Sequence, residues 1–332
     1  MKRIIIFPLF CSLLFANELE LLQKDKKELR QLEKEVIEKK YESSKDEWIG
    51  KINLNSSISK ERDFTDDETS DMTRSIGLSF SQSIYESGGI EYSIEYARQQ
   101  LKSDMLAWEN ENIALIQAIY ETLLEIKKLG LQIEQSDYSL KNKEIELILK
   151  RIQYEAGKVD IIELNNAIMS KNNQQKENIS LMNSLKDKEY ELSKYTTLKS
   201  NQIKILDFKI IHKDKFLKDN LNIRYENSKV ELLDTSYKQL KSSYLPQVSL
   251  NTSTTYTNNE NKEQNESGKI GISASMPIFD ITKDSKLEKS KLEVLKQKVN
   301  VTDMQNELIY EYEQILAQIN TYDEYEKTIQ NN

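Results

Sequence analysis

Residues 72–85 read MTRSIGLSFSQSIY. The even positions are Met72, Arg74, Ile76, Leu78, Phe80, Gln82 and Ile84, while Thr73, Ser75, Gly77, Ser79, Ser81 and Ser83 are all small or hydroxylated. Alternation with period two over this length predicts a strand. A soluble sheet sets large apolar side chains inward and charged ones outward, yet this polar face carries no charge from Thr73 to Ser83. A barrel strand between lipid and a wet lumen has this composition, and about 9–11 tilted residues span a bilayer. Taken alone, the stretch is better read as an ordinary half-buried strand.

The neighbouring segments bear on that choice. Residues 49–60 alternate in the same way, with Ile52, Leu54 and Ile58 against Asn53, Asn55 and Ser57. An acidic stretch, ERDFTDDETSD at 61–71, follows, so residues 49–85 read as a hairpin with a long solvated loop. The pattern then recurs far downstream. YLPQVSLNTSTTYT at 244–257 alternates, 258–268 reads as a polar loop, and 269–279 sets Ile270, Ile272, Ala274, Met276 and Ile278 against Gly271, Ser273, Ser275 and Pro277. IGLSFSQSIYE at 76–86 aligns without a gap to IGISASMPIFD at 270–280, and INLNSS at 52–57 aligns to VSLNTS at 248–253. Two hairpins with one lipid-like face, each feeding a helical run, are hard to build as a soluble sheet. The even residues Ile76, Leu78, Phe80, Ile270, Ile272 and Met276 are therefore expected to face lipid, and the odd residues a lumen. The two polar loops are expected outside the cell.

Long helices account for most of the remaining chain. Only 8 Gly and 3 Pro occur in 332 residues, and 31% of residues are charged, a composition that favours long polar helices. Residues 17–47 carry Leu19, Leu22, Leu29, Leu32 and Val36 at helical spacing. From Glu86 the period becomes helical, with Gly88 and Gly89 at the junction and no proline up to Tyr154. That run makes a rod of roughly 100 Å whose narrow apolar stripe calls for partner helices. The rod is expected to reverse at YEAGKVDIIEL, residues 154–164. There Gly157 suits a left-handed helix end, Asp160 an N-cap and Glu163 a capping box. A helix then returns to about Tyr195. Residues 196–218 are weakly periodic and hold the lone His212, read as a surface residue; 219–243 is helical, and a last rod starts near Ser285.

The N-terminus reads as an export signal at 1–16, with Lys2 and Arg3 before an apolar run at 4–15 and Ala16 at the cleavage position. That run is too short to span a membrane and contains Pro8, and Phe10 before Cys11 argues against lipidation. Removing the leader takes away the only cysteine, excludes an internal disulfide and moves the formal charge from −8 to −10. Such an acidic exported chain with no basic stripe is not expected to bind nucleic acid. No later apolar run approaches a transmembrane helix, so any membrane insertion must come from strands. There is no Gly-rich phosphate loop, no His or Cys pair at metal spacing and no nucleophile constellation, so neither an enzyme nor a cofactor is expected.

In these segments the chain resembles the outer-membrane efflux proteins of the TolC family, the exit ducts of tripartite pumps and type I secretion systems. YLPQVSLNTSTTY is similar to that family's helix-to-strand junction, and IGISASMPIFD and SQSIYESGGIEYSIEYARQQL to its strand-to-helix junctions. YEAGKVDIIELNNA is similar to its helix-hairpin tip. The resemblance implies a mainly α fold with a transmembrane β portion: long coiled-coil helical hairpins and four strands per chain, contributing to a trimeric 12-stranded barrel. It implies a first structural repeat at 17–197 (β-hairpin 49–85, long helical hairpin 86–197), an equatorial linker at 198–218, and a second, incomplete repeat at 219–332 with its β-hairpin at 246–279. In that second repeat the returning helix of the family is expected to be missing, so gate residues are not assigned. The implied setting is the outer membrane, with a helical tunnel in the periplasm. The partners would be two further copies, membrane lipid, a periplasmic adaptor and, through it, an inner-membrane transporter. The tip residues Gly157, Val159, Asp160, Ile161, Glu163 and Leu164 would meet the adaptor. Two other readings stay open on sequence alone: a periplasmic coiled-coil scaffold or adhesin, and a truncated remnant that does not assemble.

Overall fold

A computed structural model describes residues 19–62, 70–205, 209–259 and 262–330. The export signal at 1–16, with Lys2, Arg3, Pro8 and Cys11, lies outside the described residues, as do 63–69 of the first loop. After a 3-10 turn at Leu19–Leu21 come helix α1 (Lys24–Lys45), strands β1 (Ile52–Arg62) and β2 (Ser70–Tyr85), and helices α2 (Gly89–Glu155) and α3 (Ile161–Ser193). A short helix α4 (Lys213–Asp219) precedes α5 (Leu221–Ser242), β3 (Gln247–Asn259), β4 (Lys262–Ser275) and α6 (Lys283–Gln330). The predicted linker thus contains helix α4, and α5 starts behind an Asn220 cap whose side chain accepts from the Ile223 N–H at 3.1 Å.

The expected loop at 258–268 is corrected. β3 continues to Asn259 and β4 already begins at Lys262, so only 260–261 separate them, and these lie outside the described residues. Residues such as Glu266 look like loop residues but find backbone partners in β3, where Glu266 stands opposite Tyr256. Likewise Glu61 and Asp71 are opposed strand residues rather than loop. At the other end β4 stops at Ser275, so Met276 and Ile278 are not strand residues. Pro277 explains the stop: it has no N–H to donate, and it restricts the residue before it.

The described chain divides into two compact units, one from the residues up to Glu33 with Glu109–His212, the other from Lys34–Trp108 with the residues from Lys213 on. The first is built on a small apolar core. Ile119 and Leu123, one helical turn apart on α2, are fully buried, and Leu22, Ile116, Ile126, Leu192 and Ile203 close around them. Arg30 of α1 is buried beside it. Its Nε donates to Asn112 Oδ1 at 2.7 Å and its Nη1 to Glu111 Oε2 at 2.6 Å, with Glu33 as a further partner. Farther along, α2 and α3 meet through polar groups. Gln174 donates to Ser136 Oγ at 3.2 Å, Asn178 donates to Asp137 Oδ1 at 2.6 Å, and Lys188 lies 2.6 Å from Glu125 and 2.7 Å from Glu191. Polar groups at such a seam pin helix register at some expense of stability.

The second unit contains the sheet. Its order is β1-β2-β3-β4 and every pair is antiparallel, so the two hairpins join edge to edge through β2 and β3. All four helical connections leave one end of the sheet, and the strand ends Arg62, Ser70, Asn259 and Lys262 lie at the other. Below the sheet α5 packs on α6, where Val294 and Val301, seven residues apart, are buried and Gln297 Nε2 donates to Glu226 Oε2 at 2.6 Å. The repeat seen in sequence is also a repeat in geometry. Gly89 N–H donates to Glu86 O at 2.9 Å, and Lys283 N–H donates to Asp280 O at 3.1 Å, the same turn at aligned positions.

Candidate functional site

Two features match the residues singled out above: the faces of the sheet and the turn between α2 and α3. In antiparallel pairs, directly opposed residues share a face. Ile52, Phe80, Thr252 and Ile270 form one continuous row, and Leu54, Leu78 and Thr254 the next. Ile76 and Ile272 belong to the same face. The structure therefore brings five of the six selected strand residues together and leaves Met276 just past the strand. This face is apolar and uncovered by its own chain: Ile52, Leu54, Ile270 and Ile272 are 73%, 68%, 80% and 73% exposed. A soluble domain buries such a surface or pairs it.

The opposite face is a ladder of hydroxyls and amides. Ser81 Oγ donates to Asn251 Oδ1 at 2.8 Å, and Asn251 Nδ2 donates to Ser273 Oγ at 2.8 Å, which links three strands in line. Asn55 donates to Ser79 Oγ at 2.9 Å, the Ser57 and Ser75 hydroxyls are 2.7 Å apart, and Asn259 donates to Thr73 Oγ1 at 3.2 Å. Gly77 is required here, since a Cβ would stand 2.6 Å from the Thr254 carbonyl oxygen. Sequence alternation identified this face but not its cross-strand partners, because register depends on which strands pair.

The junctions below the sheet were legible in sequence, but the contacts that hold them were not. Ser87 has φ 52° and Gly88 φ 90°, and Ser87 Oγ donates to Pro246 O at 2.7 Å, tying the first exit to the second entrance. Asp280 gathers the Thr282 hydroxyl at 2.6 Å, the Thr282 N–H at 2.8 Å and the Tyr244 hydroxyl at 3.1 Å. The Thr282 hydroxyl first, then its N–H, hold the Asp280 carboxyl well below the usual carboxylate range. An aligned carboxylate before each rod, Glu86 and Asp280, was the available sequence clue.

At the helix turn, Gly157 has φ 70° with open space around it, so backbone conformation rather than crowding selects glycine. Lys158 N–H donates to Gln153 O at 2.8 Å and Gly157 N–H to Tyr154 O at 2.9 Å, closing α2. Asp160 is extended, and its Oδ1 accepts from the Glu163 N–H at 2.9 Å as an N-cap. The Glu163 side chain does not complete a capping box; its Oε2 accepts from Lys150 Nζ at 2.6 Å and bridges the two helices. Val159 and Leu164 are half-buried, whereas Ile161 and Ile162 are exposed.

Among the described residues no group of His, Cys, Asp and Glu could hold a metal ion, and no helix is long and apolar enough to cross a membrane. Compared with known proteins, the chain has the fold of solved outer-membrane channels. The outer membrane protein VceC of Vibrio cholerae matches at 12% identity with a TM-score of 0.77, covering 96% of this chain and 82% of that one. The Campylobacter jejuni CmeC outer membrane channel matches at 14% identity and TM-score 0.75, covering 96% and 74%. The Neisseria gonorrhoeae MtrE outer membrane channel, in its open state, matches at 15% identity and TM-score 0.72, covering 96% and 75%. No curated protein matches the sequence. Residues 21–197 match the outer membrane efflux protein family as a family, which is more than half the chain. The chain belongs to the outer membrane efflux protein family.

Proposed function

We propose that this protein is the outer-membrane duct of a tripartite efflux pump or type I secretion system, a passive conduit that works as a homotrimer. The observation that carries this reading is the four-stranded sheet with one apolar uncovered face, one wet face, and β1 and β4 as its outer strands. Unpaired strand edges cannot face lipid, and four strands cannot close. Three copies supply twelve strands, an even number in the range of closed membrane barrels. Ile76, Leu78, Phe80, Ile270 and Ile272 then contact lipid, and the serine and asparagine ladder lines the lumen. The sheet end at Arg62, Ser70, Asn259 and Lys262 then faces outside the cell, and the helices reach into the periplasm.

The helices support the same assembly. Leu131, Tyr138, Ile145 and Ile152 recur at seven-residue spacing on α2 and are each more than half exposed. Residues with that period ask for a further helix, and neighbouring copies supply it. The two repeats, 17–197 and 219–332, each contribute one hairpin to the wall. The turn at Gly157, Val159, Asp160, Ile161, Glu163 and Leu164 docks a periplasmic adaptor, and through it an inner-membrane transporter, with Ile161 and Ile162 as its exposed apolar contacts. The test is membrane fractionation followed by native mass measurement in detergent. Outer-membrane material with the mass of three chains is expected; protein soluble without detergent, or only monomer, overturns the duct. Cysteines at Val159 and Ile161 should cross-link to the adaptor. Trimers that assemble yet cross-link at neither site, with export unchanged by Ile161→Asp, remove the tip from the proposal.

A further inference from the structure

Among the residues of β1–β4, Lys269 is the one charged residue on the wet face between the row of Ser59 and Thr73 and the row of Ser83 and Ser249; exposed Lys51, just before β1, is a second cation beside the Ser81 row. Lys269 belongs to the row Asn53–Ser79–Ser253–Lys269, all of whose other members are small and neutral. Together with Asn251 and Gly271 these residues line one shallow concavity. Lys269 is exposed, and among the described residues no carboxylate pairs with it. The nearest acidic position on this face of β1 is Glu61, eight residues beyond Asn53, or about 26 Å at 3.3 Å per residue. That exceeds the screening length of about 10 Å at 0.1 M salt.

We infer that Lys269 sets a charge preference in the duct: three copies form a ring of ammonium groups in a stretch of the lumen free of acidic residues, which favours anionic cargo and disfavours cations at that level. The inference rests on the trimeric duct proposed above. Twelve strands about 4.8 Å apart and tilted about 40° enclose a radius of about 12 Å, so ammonium groups leaning inward lie about 8 Å from the axis. Three unit charges at that distance in water, screened at 0.1 M salt, concentrate a monovalent anion about threefold on the axis.

The experiment uses the purified full chain in planar bilayers with potassium chloride at unequal concentrations, and reads the reversal potential. Lys269→Gln should lower the chloride-to-potassium permeability ratio about tenfold, because the threefold chloride enrichment and the matching threefold potassium depletion are lost together, and Lys269→Glu should lower it further. The double change Lys269→Ser with Ser253→Lys returns the charge to the same row from β3, and should restore the original ratio. Variants that conduct with an unchanged ratio overturn the ring and leave the duct standing, as does a double change that fails to restore it. A wild-type protein that forms trimers but no conductance overturns the duct itself.

Discussion

Leu78 and Ser79 are chain neighbours on opposite faces of β2, a strand paired on both sides, so a matched pair of arginine substitutions there isolates the environment of each face. Leu78 stands between Leu54 and Thr254, in the apolar band, and is 46% exposed in the single chain. If that band meets lipid, Leu78→Arg places a guanidinium near the bilayer midplane at about 2–4 kcal/mol per chain. At 1.4 kcal/mol per decade this lowers the folding equilibrium of each chain by a factor of about 30 to 1,000, and a trimer takes the effect three times. Ser79→Arg removes only the acceptor of Asn55, a hydrogen bond at 2.9 Å on a wet face, worth about 1 kcal/mol. The assay is urea-dependent refolding into lipid vesicles, followed by gel mobility of the trimer. The expected order is Leu78→Arg far below Ser79→Arg, with Ser79→Arg close to wild type. Equal losses at both sites, or tolerance at Leu78 with collapse at Ser79, would refute the assignment of faces.

The helices and junctions give three further expectations. Gly157→Val should loosen the tip turn by about 1–2 kcal/mol because φ is 70° there, and Asp160→Ala should cost about 1 kcal/mol as a lost cap; hydrogen exchange at Gly157–Glu163 reads both. Leu123→Ala, at a fully buried position, should destabilise by about 2–5 kcal/mol in denaturant unfolding, while Leu131→Ala, 69% exposed, should spare the fold and weaken the trimer. The Asp280 carboxyl titrates lower in the folded protein than its unfolded value of about 4, so its contribution is present above that pH and lost as pH falls below it. Thermal unfolding between pH 5 and 3 should show an acid-side loss that is smaller in Asp280→Asn.

Strands and helices are legible in the sequence because their apolar periods differ and few breakers interrupt them. Residues 76–86 and 270–280 align with each other residue for residue, and both lead from a strand into a long helix. The strand ends are misjudged where side-chain chemistry and backbone pairing disagree. Lys262, Glu266 and Ser267 carry loop-like side chains, yet β3 pairs with all of them through the main chain. Met276 keeps the alternation but sits before a proline that cannot extend the ladder. At the tip, Gly157 and Asp160 are legible since φ and capping are local properties. The partner of Glu163 is not, since Lys150 is distant in sequence and reaches it only once the two helices lie side by side. Lys269 is equally hidden: its isolation is a property of a face shared by four strands, and it emerges only with the register.

That register needs a cause of its own, because lipid is a poor judge of it. In the proposed barrel a slip by one residue would turn the serine face toward lipid and is excluded by solvation alone. A slip by two residues keeps every face correct, since an isoleucine against lipid is equivalent at either height. The polar face therefore has to discriminate. At β2 and β3, Gly77 lies where any Cβ would press on the Thr254 carbonyl oxygen at 2.6 Å and the Thr255 hydroxyl at 2.9 Å, and a two-residue slip would bring Ser75 or Ser79 to that place. The same slip would separate Asn251 from Ser81 or Ser273, each held at 2.8 Å, and leave an amide bridging nothing. The irregularity between Ser83 and Tyr85 adds a further mark that a shifted ladder would not match. The wet face thus does two things in one set of residues: it lines the passage of the proposed duct, and it fixes how the two repeats are joined.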